Sequence, residues 1–277
     1  MEILTEPIAS GMEFFILGCQ RSGTTLLRLV LECHSKICCF DELMAYRILA
    51  SGHYERPGGV DRVGFKIPRW TEQLTEPLLR DFGLAEEARN IYTGQPILFL
   101  QRDVRDTIVS MLNLRIGASC WLETWGLPIL EWKINTQAAF RQKYAADIEC
   151  WRNASDRLVA SGALYWKYKN SAYLEHAARG FRLLRVRYEE LVSESEPVLH
   201  RICEFLGVAF EDQLMNHSGM AHAELLEGGL AVGGTDPARS IDTRSVGQWK
   251  RVLTESQLQD IRSIAGDLEE RLGKRSS

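Results

Sequence analysis

Two kinds of apolar run follow each other near the start of the chain. Residues 14–17 (FFIL) form a continuous apolar stretch, as expected of a parallel strand buried on both faces. The stretch ends at Gly18, and the apolar residues between 26 and 31 then recur at steps of three and four. That spacing places one apolar stripe on a helix that begins near Thr24. The pattern therefore predicts a strand, a tight turn and a helix over residues 13–34.

The turn has the spacing of a phosphate-binding loop. Gly18, Gly23, Thr24 and Thr25 match the Walker A pattern G-x-x-x-x-G-K-[ST], except that Thr24 stands at the lysine position. The first amides of a helix are unsatisfied and its dipole favours an anion. Arg21 can supply the missing charge, because a guanidinium binds two oxygens of one phosphate or sulfate. On this evidence alone, a simple glycine turn in an α/β sheet remains the alternative.

The stretch QRSGTT at 20–25 resembles the loop P-[KR]-S-G-T-T of the sulfotransferases that use 3'-phosphoadenosine 5'-phosphosulfate (PAPS). Gln20 replaces the usual proline of that family. The arginine version and the downstream pattern look most like tyrosylprotein sulfotransferases and related bacterial enzymes. The resemblance implies that residues 18–25, here called the phosphate loop, bind PAPS through Arg21, Ser22, Gly23, Thr24 and Thr25, with Arg21 also catalytic.

A second unit of buried strand and helix occupies residues 96–112, with Asp103 and Asp106 in an N-terminal capping arrangement. Arg102 follows the strand and Ser110 lies two turns into the helix, so both can face the crevice where open α/β sheets bind ligands. The spacing R-x7-S resembles the family's 3'-phosphate site, which implies that Arg102 and Ser110 bind that phosphate. The alternative is that Arg102 pairs with Asp106 and that Ser110 is merely exposed.

A lysine interrupts the apolar run VGFKIPRW, which precedes a helix predicted from Thr71 to Arg80. Lys66 resembles the sulfotransferase lysine that neutralises charge on the bridging oxygen as the leaving group departs. The alternative is an edge strand with Lys66 on its solvated face.

A candidate general base follows the next short strand. Asp41 is expected to cap a helix from Glu42 to Ala50. The stretch ELMAYRILA resembles the one that carries the base of tyrosylprotein sulfotransferases. Glu42 follows Arg21 by 21 residues, the arginine-to-glutamate spacing of that family. Glu42 is therefore the implied base. It could instead only favour the helix dipole, and His53, in a loop predicted at 51–59, is the rival base and a candidate substrate contact.

The tryptophan-rich residues 117–132 contain both Gly and Pro, which predicts a loop or a short helix. Trp121 and Trp125 are candidates to line an acceptor pocket, although aromatic residues more often belong to the core. Helices are predicted from Ile134 to about Ala160 and from Ala163 to Ala178.

The last strand and the C-terminal region complete the resemblance. Residues 181–192 predict a strand turning into a helix and resemble the family's V-x-Y-E-x-L-V stretch, which implies that Tyr188 lies near the adenosine. A helix should follow and end at Gly207. The glycine-rich stretch from 228 to 247 reads either as a surface connection or, by resemblance, as a segment that closes over the nucleotide. Its candidate contacts are Ser245, also given a catalytic role, Gln248 and Lys250.

Composition limits the remaining possibilities. The chain has 277 residues, 45% hydrophobic and 25% charged, which suits a single domain over 1–277. The net charge of -4 gives no support to a nucleic-acid binder. Seven cysteines without a C-x-x-C pair indicate neither a disulfide framework nor a zinc site. Without a long apolar run or a basic, apolar leader, we expect a cytoplasmic protein with no membrane partner.

Alternating strands and helices predict a three-layer α/β/α protein with a mostly parallel central sheet. The resemblance implies that this is the P-loop NTPase-like fold of sulfotransferases. The expected reaction is in-line transfer of a sulfuryl group from PAPS to a hydroxyl of a small molecule, such as a natural product, without a metal. Two other classes stay open. The missing Walker lysine argues against a P-loop kinase or nucleotidase, and Glu42, Lys66 and Arg102 argue against a non-catalytic nucleotide-binding module.

Overall fold

The computed structural model describes residues 3–7, 11–72, 94–220 and 234–273. Its contacts divide the chain into two compact units. The first comprises Met1–Gln101 and Ala172–Thr243, and the second comprises Arg102–Ser171 and Arg244–Ser277. The single domain expected over 1–277 stays a prediction, because compactness alone does not decide whether either unit folds independently.

Five parallel strands form the central sheet of the first unit, in the order β3-β5-β2-β6-β9. A short antiparallel pair, β1 with β4, lies in the same unit, and β7 pairs with β8 in the second. The strands are β1 Ile3–Pro7, β2 Glu13–Gly18, β3 Ile37–Phe40, β4 His53–Pro57, β5 Arg62–Lys66, β6 Ile97–Gln101, β7 Arg115–Ile116, β8 Ser119–Cys120 and β9 Leu183–Arg187.

Helices follow most of the sheet strands directly. They are α1 Thr24–Glu32, α2 Glu42–Ser51, α3 Val104–Asn113, α4 Leu127–Thr136, α5 Ala138–Lys143, α6 Ala145–Arg152, α7 Arg157–Ala178, α8 Tyr188–Ser193, α9 Ser195–Leu206 and α10 Glu255–Gly273. Short 3-10 turns cover Pro68–Trp70, Asp212–Gly219 and Gln248–Arg251, and a π-helical turn covers Leu122–Gly126. Among the helices in the described ranges, none combines the length and apolar composition needed to cross a bilayer.

The two faces of the sheet carry separate apolar cores, because successive side chains of a strand point to opposite faces. Phe15 and Leu17 of β2 face the layer that contains α2. Phe14 and Ile16 face the layer that contains α1 and α9. All four side chains are fully buried. The predicted mostly parallel sheet with helices on both faces is therefore confirmed.

Two regions of predicted secondary structure differ from the structure. Residues 51–59 were expected to be a loop but contain β4, whose Tyr54 hydroxyl donates to Glu13 at 3.1 Å. The partner of β4 is β1, far away in the sequence, and Gly and Pro around β4 hid its alternation. The long helix expected from Ile134 to about Ala160 is broken, because Gln137 and Tyr144 leave helical geometry without any Gly or Pro to signal it.

The tryptophan-rich stretch also differs from its prediction, and two predicted regions extend beyond the described residues. Residues 117–132 contain β8, the π-helical turn and most of α4, so the helical part is longer than predicted. Only the start of the helix predicted from Thr71 to Arg80 is described, since 73–93 lie outside the described residues, as do 221–233 of the glycine-rich region.

Candidate active site

Two glycines with positive φ shape the phosphate loop. Gly18 has φ 138° and Gly23 has φ 97°, which side chains rarely tolerate. A Cβ on Gly18 would lie 2.2 Å from the Leu100 carbonyl oxygen, and one on Gly23 would lie 2.4 Å from the Tyr188 ring. Arg21, at φ 71°, is the non-glycine residue with positive φ in the described ranges. The loop conformation therefore depends on its glycines and includes one strained arginine.

The Ser22 hydroxyl holds the loop against itself and against the sheet. Ser22 is fully buried, and its Oγ lies 2.6 Å from the Cys19 carbonyl oxygen and 3.3 Å from that of Leu100. The Ser22 amide also donates to Cys19. The structure thus places this predicted donor-binding hydroxyl in contact with the loop's own backbone.

The N-terminus of α1 opens from the loop without an acidic or capping side chain. Gly23 is the N-cap and offers no side-chain acceptor, and the first turn contains no acid. The Tyr188 ring packs against Gly23 and is largely buried, so it forms a wall of the loop. The positive end of the helix dipole is consequently available to an anion placed over Thr24 and Thr25.

Lys66 lies at the carboxyl end of β5, in register with Ile16 of β2. It is only 3% exposed, and its Nζ donates to Thr25 Oγ1 at 3.1 Å. Because β5 lies between β3 and β2, the alternative of an edge strand with a solvated lysine is wrong. The sheet thus directs one ammonium group to the end of the phosphate loop.

Glu42 follows the neighbouring strand β3, so it emerges at the same edge of the parallel sheet as Lys66. Asp41 caps α2 by accepting from the Met44 amide at 2.7 Å, as predicted. Glu42 Oε1 accepts from the Arg69 amide at 3.2 Å and lies 3.7 Å from Arg69 Nε. Its carboxylate is therefore oriented by the chain that follows Lys66.

His53 lies at the start of β4, where its side chain is exposed. Its Nδ1 is 3.3 Å from the Ser51 carbonyl oxygen, a local contact within the turn. The structure thus places the rival base on the small antiparallel sheet instead of in a loop.

In the second unit, Arg102 directly follows β6 and is buried. Its Nη2 donates to the Ser245 carbonyl oxygen at 2.6 Å, and its own carbonyl oxygen accepts from Trp166 Nε1 at 2.9 Å. Ser110 lies half-buried on α3. The structure therefore brings Arg102 and Ser245 together, through the backbone of Ser245.

Asp106 has a function that the sequence did not reveal. Asp103 alone caps α3, accepting from the amides of Arg105 and Asp106. The Asp106 carboxylate, 2% exposed, accepts from the Gly247 amide at 2.6 Å and from the Trp249 amide at 3.2 Å. It thereby supplies the cap of the Gln248–Arg251 turn, so the C-terminal segment, residues 244–251, is bound by α3.

The remaining predicted contacts in the second unit are more exposed. Gln248 Nε2 donates to the Arg244 carbonyl oxygen, and Lys250 Nζ lies 5.8 Å from the centre of the Trp249 ring. Trp121 packs edge-on against Tyr165, with ring centres 5.3 Å apart, whereas Trp125 is 51% exposed. Of the two tryptophans, Trp125 has the surface that an acceptor could contact.

Within the described ranges, no three His, Cys, Asp or Glu side chains are grouped as a metal site would require.

A family model described as "Sulfotransferase family" matches residues 13–95 and 66–212, which is more than half of the chain. The chain belongs to the sulfotransferase family. It is therefore a transferase of that family, and the matched residues include the phosphate loop, Lys66, Arg102 and Tyr188.

Individual relatives agree with this assignment. The sulfotransferase is 24% identical over 261 residues to "Protein-tyrosine sulfotransferase 2" of Gallus gallus, a match that covers 91% of this chain and 66% of that protein. Two solved structures share the fold. The sulfotransferase domain of the Synechococcus PCC 7002 olefin synthase gives a TM-score of 0.53 at 18% identity, covering 90% of this chain and 93% of that one. The sulfotransferase domain from the curacin biosynthetic pathway gives 0.53 at 19% identity, covering 90% and 95%.

Proposed function

We propose that this sulfotransferase moves a sulfuryl group from PAPS to the hydroxyl of a small-molecule acceptor. The observation that carries the proposal is the contact of Lys66 Nζ with Thr25 Oγ1, at 3.1 Å, where α1 begins. It places a buried cation next to a helix N-terminus that bears no acid. Together these groups suit a dianionic or trianionic ligand with a reacting centre beside the loop.

The loop residues have distinct roles in this proposal. The amides that follow Gly23 bind the 5'-phosphate and the sulfate, and the Arg21 guanidinium adds a charge-assisted contact. Lys66 neutralises the bridging oxygen as the bond between sulfur and that oxygen breaks. Since Lys66 and Arg21 supply the positive field, we expect EDTA to leave turnover unchanged. A strict magnesium requirement would contradict this part of the proposal.

Glu42 acts as the general base. Its carboxylate takes the proton of the acceptor hydroxyl while the hydroxyl oxygen forms a bond to sulfur and adenosine 3',5'-bisphosphate leaves. The bonds from Arg69 keep the carboxylate in one orientation. A general base contributes about 10² to 10⁴ in rate, so Glu42→Gln should lose that much turnover while binding PAPS almost normally.

Steady-state rates and calorimetric donor binding for Glu42→Gln and His53→Ala check this assignment. His53→Ala is the matched variant, since His53 is the rival base and is exposed on β4. The assignment is wrong if Glu42→Gln keeps near-normal turnover and His53→Ala loses it.

Arg102 and Ser110 are proposed to recognise the 3'-phosphate of PAPS. Arg102 is buried and its guanidinium is oriented by the Ser245 carbonyl, which favours a specific contact over a diffuse charge. A charge-assisted hydrogen bond contributes about 1.5 to 3 kcal/mol, so Arg102→Ala should weaken binding of adenosine 3',5'-bisphosphate at least about tenfold. Calorimetry with AMP in parallel is the control. Equal affinities of the intact protein for both ligands would remove the assignment.

The surface beside Glu42 favours an apolar acceptor. Leu43 and Met44 follow Glu42 on α2 and are 56% and 40% exposed. Such side chains suit a phenol or another alcohol with an apolar body. The name of the Gallus gallus relative favours a second candidate, the tyrosine of a protein. A cytoplasmic location remains part of the first proposal.

A transfer assay with isotopically labelled PAPS tests the function as a whole. Phenols, sugars, natural-product alcohols and tyrosine peptides serve as acceptors, and mass spectrometry detects an added sulfuryl group. Lys66→Ala should abolish transfer to every acceptor. Transfer to tyrosine peptides alone would replace the small-molecule proposal, and ATP hydrolysis well above sulfuryl transfer would indicate a kinase or nucleotidase.

A further inference from the structure

One buried threonine forms both polar contacts at the start of the phosphate loop. Thr71 is fully buried directly after the Pro68–Trp70 turn. Its Oγ1 accepts from the Gly18 amide at 3.0 Å and lies 2.7 Å from the Gly18 carbonyl oxygen. The Pro68 carbonyl oxygen is 2.9 Å away. Because a hydroxyl has one hydrogen and two lone pairs, Thr71 can satisfy the Gly18 amide and one of the two carbonyls at the same time.

This contact extends the sheet beyond the point where β5 ends. The last backbone bond from this part of the chain to β2 runs from the Ile67 amide to the Ile16 carbonyl oxygen at 3.1 Å. The Pro68–Trp70 turn then takes the backbone away from β2, and a side chain replaces the missing strand partner of Gly18. Gly18 cannot provide a polar side chain of its own, since a Cβ there would collide with Leu100.

The short stretch from Lys66 to Thr71 therefore contacts both ends of the phosphate loop. Lys66 contacts Thr25, the last residue of the loop, and Thr71 contacts Gly18, the first. We propose that Thr71 is a positioning residue, which sets the phosphate loop at the right distance from Lys66. The inference rests on the proposed function, because it assigns the loop to PAPS.

The backbone of Thr71 is bound by a histidine of α7. His176 Nε2 lies 2.8 Å from the Thr71 carbonyl oxygen, and His176 is fully buried at the end of α7. A carbonyl oxygen can only accept, so Nε2 of His176 donates to it, and burial lowers the pKa of the ring. The threonine backbone is fixed by a helix while its hydroxyl fixes the loop.

The test compares three variants of the full chain. Thr71→Val keeps the shape but leaves the Gly18 amide without its acceptor, and it should weaken binding of adenosine 3',5'-bisphosphate and raise KM for PAPS about tenfold. Thr71→Ser keeps the hydroxyl and should stay within about twofold of the parent. Ser161→Ala is the matched control, since it removes another fully buried hydroxyl, which accepts from Trp151 in the second unit. It should lower stability without changing KM.

A second readout separates this inference from the proposed function. In the unliganded protein, Thr71→Val should speed hydrogen exchange of the Gly18 amide, whereas Thr71→Ser should not. If Thr71→Val does not fold, Thr71→Ala takes its place in both measurements. Parent-like donor binding and Gly18 exchange in the variant without the hydroxyl would overturn the inference. Faster Gly18 exchange in Thr71→Val, combined with a parent protein that binds no PAPS, would instead refute the proposed function and leave the loop contact standing.

Discussion

The phosphate loop and the C-terminal segment are stabilised in different ways. The loop is shaped by Gly18 and Gly23 and surrounded by buried groups that fit closely around its backbone. The C-terminal segment is mostly half-buried or exposed, and it is bound by Asp106 of α3 and by Arg102, which precedes that helix. The loop therefore depends on shape, whereas the segment depends on a few polar bonds.

This difference separates what each region can tolerate. A closely packed backbone leaves no room for even one added carbon, so substitutions in the loop should affect folding. A segment bound by the Asp106 carboxylate, the Arg102 guanidinium and the Arg105 guanidinium over the Trp249 ring can be released by a change of charge while the rest of the unit stays folded. We expect mutations in the first region to lower stability and mutations in the second to lower order and binding.

The largest effect is expected from Gly18→Ala. The added Cβ would lie 2.2 Å from the Leu100 carbonyl oxygen, and φ is 138°. Strain and overpacking together should lower the free energy of unfolding by about 3 kcal/mol or more. Urea unfolding measures it. Gly59→Ala is the control, because Gly59 also has positive φ but has open space around its Cβ position. Equal losses in both variants would show that packing around Gly18 is not the cause.

A smaller effect on stability, with a clear effect on order, is expected from Asp106→Asn. The Gly247 and Trp249 amides contact different oxygens of Asp106, and asparagine has one oxygen, so one half-buried amide loses its acceptor, at about 1 kcal/mol. Hydrogen exchange of these two amides should rise, and trypsin should cleave faster after Arg244 or Lys250.

Asp41→Asn is the control for this variant, since Asp41 caps α2 in the first unit and asparagine caps helices as well as aspartate does. Unchanged exchange at Gly247 and Trp249 in Asp106→Asn would contradict the attachment of the C-terminal segment through this carboxylate.

The smallest effect is expected in the pH dependence of the free energy of unfolding, through His176, which contacts Thr71. Burial lowers the pKa of His176, and the charge of Arg179 lowers it further. The hydrogen bond to the Thr71 carbonyl and the carboxylates of Glu175 and Glu72 raise the pKa, but burial has the larger effect. Because the unfolded chain then binds the proton more readily, His176 should cost stability as the pH falls below about 6.5. Above that pH the histidine is neutral in the folded and the unfolded chain, so this loss of stability is absent.

Urea unfolding of the parent and of His176→Gln at several pH values checks this expectation. The difference in free energy of unfolding between the two proteins should change between neutral pH and pH values below about 6, in the direction that penalises the parent. A difference that does not change with pH would contradict it.

Local signals made much of the site predictable. The glycines of the phosphate loop, the lysine that ends β5 and the cap of α2 each lie within a short stretch whose pattern has a direct physical meaning. The central sheet followed from the same stretches. The burial of Lys66 did not follow from its own stretch, because only the order of the strands shows that β5 is internal.

The features that the sequence did not reveal depend on distant partners. β4 is a strand because it pairs with β1, and Asp106 binds amides that are far away in the chain. Thr71 was predicted only as a helix start, since its bond to Gly18 becomes visible when β5 and β2 lie side by side. Pairings of this kind leave no periodicity in a single sequence.

The ring of Tyr188 against Gly23 has a consequence for how the protein is made. The loop residues are synthesised before Tyr188, whose ring provides one wall of the loop and comes from the chain just after β9. Until the ribosome has released that part of the chain, the sheet lacks its last strand and the loop lacks that wall. If the phosphate loop binds PAPS as proposed, a nascent chain that ends before Tyr188 should therefore be unable to bind it, although that chain already contains the whole loop.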